Sequence, residues 1–226
     1  MSPTFPSKAP IPIPTLLPPP GPAVRSIRVL PTGITTDPAE HRPIPQLFYD
    51  ALAVRDAVFI VEQKCSAEKE IDAEDEISWH WVIYAEPSGG EEEVPAATIR
   101  LVPAQAHADA DDEKAIDGPN YKGSTAWDHN EPYVMIGRVA TVKEFRGRGY
   151  GRVLVEKALW TAGNNASSMV EDGKLMEWKG LVLAHAQKWV EKWYHSLGFV
   201  TDEGMGTWWE EGIEHVAMWK RVDVKK

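Results

Sequence analysis

Long apolar runs and any excess of positive charge are both missing from these 226 residues. No stretch approaches the roughly 18 to 20 consecutive apolar residues that a membrane-spanning helix needs. Lysine and arginine number 24 against 34 aspartates and glutamates, a formal net charge of −10. Nucleic acid and anionic membrane surfaces are therefore poor partners, and no nucleic-acid or membrane partner is expected. Cysteine is nearly absent. With Cys65 alone, no intramolecular disulfide can form, and the expectation is a reducing, cytoplasmic setting. The seven histidines show no metal-ligand spacing, so no metal is expected. Proline recurs at almost every second or third position near the amino terminus and arginine is scarce there, so neither a signal-peptide core nor a transit peptide is expected.

What is present suits one domain of ordinary size. Residues 1–25 carry nine prolines. Proline fixes φ and removes a donor, so this segment is expected to favour polyproline II and to build neither sheet nor helix. It reads as a disordered tail, or as an arm laid over a neighbouring subunit that would hold a homodimer together. Residues 26–226 read as the folded domain. Ser26 to Leu30 alternates like a strand, and Gln46 to Val61 has helical spacing through Phe48, Ala51, Leu52, Arg55 and Phe59. Trp79 to Ala85 and Ala96 to Val102 read as a hairpin, followed by a long acidic loop over 103–132. Tyr133 to Val142 reads as a strand. A polar insertion covers 164–178, Leu181 to Ala184 is a short buried strand, and Gln187 to Leu197 a helix with Trp189, Val190, Trp193 and Leu197 inward. Phe199 to Val200 and Ile213 to Trp219 complete a sheet.

The most informative stretch is Arg146-Gly147-Arg148-Gly149-Tyr150-Gly151, between the strand ending at Val142 and a helical run ending near Gly163. Alternate glycines let the backbone approach a ligand closely. A helix N-terminus adds unpaired N–H groups and a positive dipole end, which is a phosphate site. Arg138, Arg146, Arg148 and Arg152 add charge, so the stretch reads as a pyrophosphate cradle. Spacing excludes two familiar cradles. A dinucleotide fingerprint would need glycine where Arg152 stands, and a P-loop would need Gly-Lys-Ser/Thr at its end.

The remaining pattern, Arg-x-x-Gly-x-Gly after a strand, resembles the acyl-CoA loop of the GNAT acetyltransferase superfamily. Tyr194-His195-Ser196-Leu197-Gly198-Phe199 is similar to a second element of that superfamily. Val58-Phe59-Ile60-Val61-Glu62-Gln63-x-Cys65, Ile71-Asp72 with Asp75, Ile136-Gly137-Arg138-Val139, Ala186-Gln187 and Glu210-Glu211-Gly212-Ile213-x-His215 resemble its ElaA-like branch. The resemblance spans about residues 46–220; the proline arm and the insertions near 103–132 and 164–178 depart from it. It implies an α/β fold with a single mixed, mostly antiparallel sheet, splayed at the acyl-CoA site and flanked by helices. The implied reaction is transfer of acetyl from acetyl-CoA, a cosubstrate, directly to a primary amine.

The resemblance also assigns roles. Val139, Ala140 and Thr141 would line the pantetheine arm, Arg146, Gly147, Arg148, Gly149, Tyr150 and Gly151 would hold the pyrophosphate, and Gln187 would touch the cofactor. Tyr194 would be the general acid for the leaving thiolate, since a phenol of ordinary pKa near 10 holds its proton at neutral pH. The base stays open among Glu62, Asp72, His80 and His215. Glu62 and Asp72 would alternatively bind the substrate cation. Trp208 and Trp209 are expected on the acceptor side, where indole faces attract cations and sugar C–H surfaces. Cys65 is not expected to be a nucleophile. An amino sugar such as D-glucosamine is the first acceptor expected, then a polyamine. A peptide N-acetyltransferase and a catalytically silent acyl-CoA-binding module are the competing readings.

Overall fold

The computed structural model describes residues 11–30, 33–36, 44–90, 92–104, 118–170 and 177–225. In chain order the strands are β1 (Thr15–Leu17), β2 (Ile27–Leu30), β3 (Gly33–Thr36), β4 (Trp79–Ala85), β5 (Val94–Val102), β6 (Val134–Thr141), β7 (Leu181–Gln187), β8 (Val200–Thr201), β9 (Thr207–Glu210) and β10 (Ile213–Arg221). The α-helices are α1 (Gln46–Arg55), α2 (Tyr150–Asn164) and α3 (Glu191–His195). One mixed sheet runs β1-β4-β5-β6-β7-β10-β8, with β9 also paired to β10, while β2 and β3 form a separate hairpin.

All pairings in the large sheet are antiparallel except that of β6 with β7. That exception follows from α2, which carries the chain back before β7 begins, as a parallel crossover requires. The parallel pairing is short, from Val134↔Val182 to Ile136↔Ala184. Beyond it the strands part. The β5–β6 register also shifts between Thr98 and Arg100, opposite Arg138, whose φ is 52°. A bulge of this kind bends the strand and re-aims its side chains. The expected splay is therefore present.

Helices cover both faces. Alternate residues of β4 and β5 (Trp81, Ile83, Ile99, Leu101) join Leu154, Val155, Ala158 and Leu159 of α2 in the main core. On the other face, Phe48 of α1 meets the His80 ring edge-on at 5.2 Å. Fully buried leucines such as Leu154 contribute about 2 kcal/mol each. α1 continues as a π-helical stretch over Asp56–Glu62, close to the helix expected from spacing, and this carries Glu62 and Gln63 to the edge of β6.

Several expectations change. The proline-rich arm does build a strand: β1 pairs with β4 from Thr15↔Val82 to Leu17↔His80. An edge strand tolerates flanking prolines because only one of its sides needs donors. Leu17 and Val24 pack against Phe48 and Leu52. Among the described residues, Ile27–Leu30 pairs with its own hairpin partner and not with the large sheet, because β1 holds the sheet edge. Gln187 is the last residue of a longer β7 rather than the start of a helix, and Trp189 is 63% exposed. β9 was not anticipated. The acidic residues Asp109, Asp111, Asp112 and Glu113 lie outside the described residues. The second half of their loop packs firmly: Asp202 accepts from Ser124 Oγ, Thr125 N, Ala126 N and Trp219 Nε1. Among the described residues, no helix is long and apolar enough to cross a membrane.

Candidate active site

Where β6 and β7 part, a cleft of about 1350 Å³ opens. Its walls include Val139, Ala140 and Thr141 on β6, Ala186 and Gln187 on β7, Tyr194 on α3 and His215 on β10. The parallel ladder ends at Ile136, so the β7-facing main chain of β6 beyond that point has no strand partner. Its N–H and C=O groups are available to an extended amide-bearing chain.

At one end stands the glycine loop. Gly147 and Gly149 have φ of 77° and 90°, a left-handed conformation that side chains with a Cβ resist. Gly149 caps α2 with no side-chain hydrogen bond, leaving the first N–H groups of the helix for a ligand. These residues fit a diphosphate. Arg146 donates Nε–H to the Thr141 carbonyl at 2.9 Å and forms a bidentate pair with Glu62 at 2.8 and 2.7 Å. That pair lowers the Glu62 carboxyl from its ordinary value and makes it a weak base. Arg148 lies 5.0 Å from the Phe145 ring centroid and is not part of the cleft lining. Arg152 donates to Ser196 Oγ at 2.9 Å.

The other end is built from ion pairs. Buried Arg55 bonds Glu70 and Asp75 at 2.5 and 2.7 Å, and buried Arg100 bonds Asp72 and Glu74 at 2.6 and 2.7 Å. Arg138, placed in the pyrophosphate cradle by its sequence position, instead reaches Asp72 at 3.1 Å, because the bulge at its own backbone turns it toward Glu70 and Asp72. Burial pushes the Asp75 carboxyl up, but Arg55 and Arg100 outweigh it and hold it well below the usual carboxylate range. Burial likewise pushes Glu74 up, and Arg100 opposes this without cancelling it. Glu70, Asp72, Glu74, Arg100 and Arg138 all line the cleft.

Between the two ends lie the proton-handling groups. Tyr194 is packed edge-on between Trp193 and Phe199, at 4.8 and 5.4 Å. Burial raises its phenol, and no hydrogen bond to its hydroxyl is found among the described residues. His215 Nδ1 lies 2.9 Å from the Ile213 carbonyl. A carbonyl can only accept, so Nδ1 carries the proton and Nε2 keeps its lone pair in the neutral ring. His215 stacks on Trp208, with ring centroids 6.0 Å apart. Burial, followed by His215, lowers His185 to about 4, so it is neutral at ordinary pH. Gln187 and Gln63 exchange amide hydrogen bonds of 2.9 and 3.3 Å across the cleft.

The sequence candidates thus divide. The cleft gathers Tyr194, His215, Glu62, Asp72, Gln187, Val139, Ala140, Thr141, Arg146, Gly147, Gly149, Tyr150 and Gly151. It does not include His80, which is buried and donates Nε2–H to the Asp75 carbonyl at 3.0 Å; burial lowers it to about 4. Trp208 is buried behind the two imidazoles, and Trp209 points outward, 65% exposed. Burial, together with Glu211 and Glu70, pushes the Cys65 thiol up, which suits no nucleophile. His185, Gln63, Glu70, Glu74 and Arg100 were not foreseen as site residues. For His185 the signal was period-two spacing, since it shares a strand face with Gln187. Among the described residues, no cluster of His, Cys, Asp and Glu could hold a metal ion.

The fold and cleft agree with what known proteins show. Residues 78–201 match the family model described as an acetyltransferase (GNAT) domain. The UPF0039 protein C11D3.02c of Schizosaccharomyces pombe is 30% identical over 170 residues, covering 75% of this chain and 85% of that protein. Among solved structures, a Lactobacillus plantarum protein described as an N-acetyltransferase has 25% identity and a TM-score of 0.52, covering 78% of this chain and 92% of its own. Escherichia coli ElaA shares the fold, with 22% identity, a TM-score of 0.50 and coverage of 80% and 93%. The chain belongs to the GNAT acetyltransferase family, and it is accordingly an acyl-CoA-dependent N-acyltransferase.

Proposed function

We propose that the protein transfers acetyl from acetyl-CoA directly to a small primary amine, with an amino sugar such as D-glucosamine ahead of a polyamine. One observation carries the reading: a phenol and an imidazole of fixed tautomer share the cleft into which the glycine loop opens. The diphosphate sits against the uncapped N-terminus of α2, and the pantetheine arm runs along Val139 to Thr141. The amine nitrogen attacks the thioester carbonyl carbon and gives its proton to His215 Nε2. As the C–S bond breaks, the thiolate takes the Tyr194 proton. Main-chain N–H on β6 receives the negative charge that develops on the carbonyl oxygen.

The acceptor end supports a cation. Glu70, Asp72, Glu74, Glu210 and Glu211 line it against Lys69, Arg100 and Arg138. A second anion brought beside those carboxylates is unfavourable, so glucosamine should react faster than its 6-phosphate. The test is thiol release from acetyl-CoA with glucosamine, glucosamine 6-phosphate, spermidine and a lysine peptide at equal concentrations. Fastest release with the free sugar is the expected result. A preference for the phosphorylated sugar or the peptide would sink the acceptor assignment.

A further inference from the structure

We propose that Tyr133, Tyr121 and His185 form a hydrogen-bonded chain that reads an uncharged oxygen, hydroxyl or carbonyl, on the acceptor amine. This rests on the acyl transfer proposed above and specifies its acceptor further. Tyr133 and Tyr121 share a side-chain hydrogen bond, and the Tyr121 hydroxyl lies 3.1 Å from His185 Nε2. In the proposed chain Tyr133 donates to Tyr121 and Tyr121 donates to Nε2, which places the proton of the neutral ring on Nδ1.

No hydrogen-bond partner for that Nδ1 is found among the described residues. Among the described residues, buried side-chain polar atoms without a hydrogen-bond partner include Trp81 Nε1, Arg100 Nε and Arg138 Nε. His185 Nδ1 is not one of them, and its ring lines the cleft. An N–H that opens on the cleft without a protein acceptor is a site for a ligand oxygen.

The ring is also held in place. Trp208 meets it edge-on at 4.9 Å and Tyr121 lies at 6.1 Å on a tilted plane. Tyr121 itself belongs to the segment that Asp202 pins through Ser124, Thr125 and Ala126. The part of the chain that departs from the family pattern therefore braces His185 from behind the cleft wall. His185 is a binding residue here, and Tyr121 and Tyr133 are positioning residues.

The surrounding charge decides which oxygen. Arg100 and Arg138 are already engaged by Asp72, Glu74 and Glu70, and the cleft end remains acidic, so a carboxylate is disfavoured while an ammonium is attracted. The acceptor class is a primary amine that also bears a hydroxyl or carbonyl, not a plain alkylamine.

Thiol release with trans-2-aminocyclohexanol and with cyclohexylamine, which differ by one hydroxyl, tests this. The wild type should favour the amino alcohol by about tenfold or more in kcat/KM, since a site built to bond a hydroxyl rejects the analogue without it. His185→Phe should abolish the preference, read as the ratio of the two kcat/KM values. Tyr121→Phe, which keeps the ring, should reduce the preference by raising the KM of the amino alcohol alone. A wild type without preference, or a preference that survives His185→Phe, overturns the proposal. If His185→Phe does not fold, an undiminished preference in Tyr121→Phe does so instead. Absence of thiol release with every amine would overturn the acyl-transfer reading along with it, whereas turnover without discrimination removes this inference alone.

Discussion

The two ends of the cleft are built by different means. At the glycine loop the groups proposed to bind are main-chain N–H, and the Arg146–Glu62 ion pair leaves its side chains 42% and 39% exposed. At the acceptor end the side chains of Arg55, Arg100 and Asp75 are 1%, 3% and 0% exposed and locked into one network. An exposed pair contributes about 0–1 kcal/mol, whereas removing one partner of a buried pair costs about 3–5 kcal/mol. The difference has a functional sense. A diphosphate is the same on every acyl-CoA, so backbone geometry suffices for it. Distinguishing one amine from another takes side chains whose positions are fixed beforehand.

That contrast can be broken in order of expected effect. Tyr194→Phe, at the junction of the two ends, should lower turnover by about 10²- to 10⁴-fold while leaving acetyl-CoA affinity unchanged by calorimetry. Wild-type turnover would make Tyr194 a packing residue. Asp75→Ala should destabilise the fold by about 3–5 kcal/mol, because Arg55 and Arg100 would be left short of a buried counter-charge. Denaturant titration measures this, and a loss below about 1 kcal/mol would mean the network is not what fixes the acceptor end. Gly149→Val should weaken acetyl-CoA binding by about tenfold or more. Its φ of 90° is strained for a β-branched residue, and the added Cβ would lie 3.3 Å from Ile11 Cδ1. Unchanged affinity in a folded variant would move the diphosphate elsewhere.

The two ends also differ in how far they could be read from residue order. The glycine loop, its preceding strand and α2 are contiguous, so spacing alone exposed them, and β4 appears with the bounds its alternation predicts. Tyr194 and His215 were legible through their surrounding motifs. The acceptor end draws on residues from Arg55 to His215, brought together only by the sheet. Arg138 went to the wrong end because proximity in sequence says nothing about a bulge that re-aims a side chain. Trp208 and Trp209 were read as a pair, yet neighbours on a strand face opposite ways. His185 was missed because the expected strand ended at Ala184, three residues short of the end of β7.

β10 sits inside the sheet, flanked by β7 on one side and by β8 and β9 on the other, although it is the latest strand in chain order. Before it docks, β7 presents a bare edge beside the short parallel ladder with β6, and bare edges recruit other strands. Closing that slot requires contacts of long sequence separation, which slows folding. Refolding from denaturant should therefore depend on protein concentration, with yield lost to association at the waiting β7 edge.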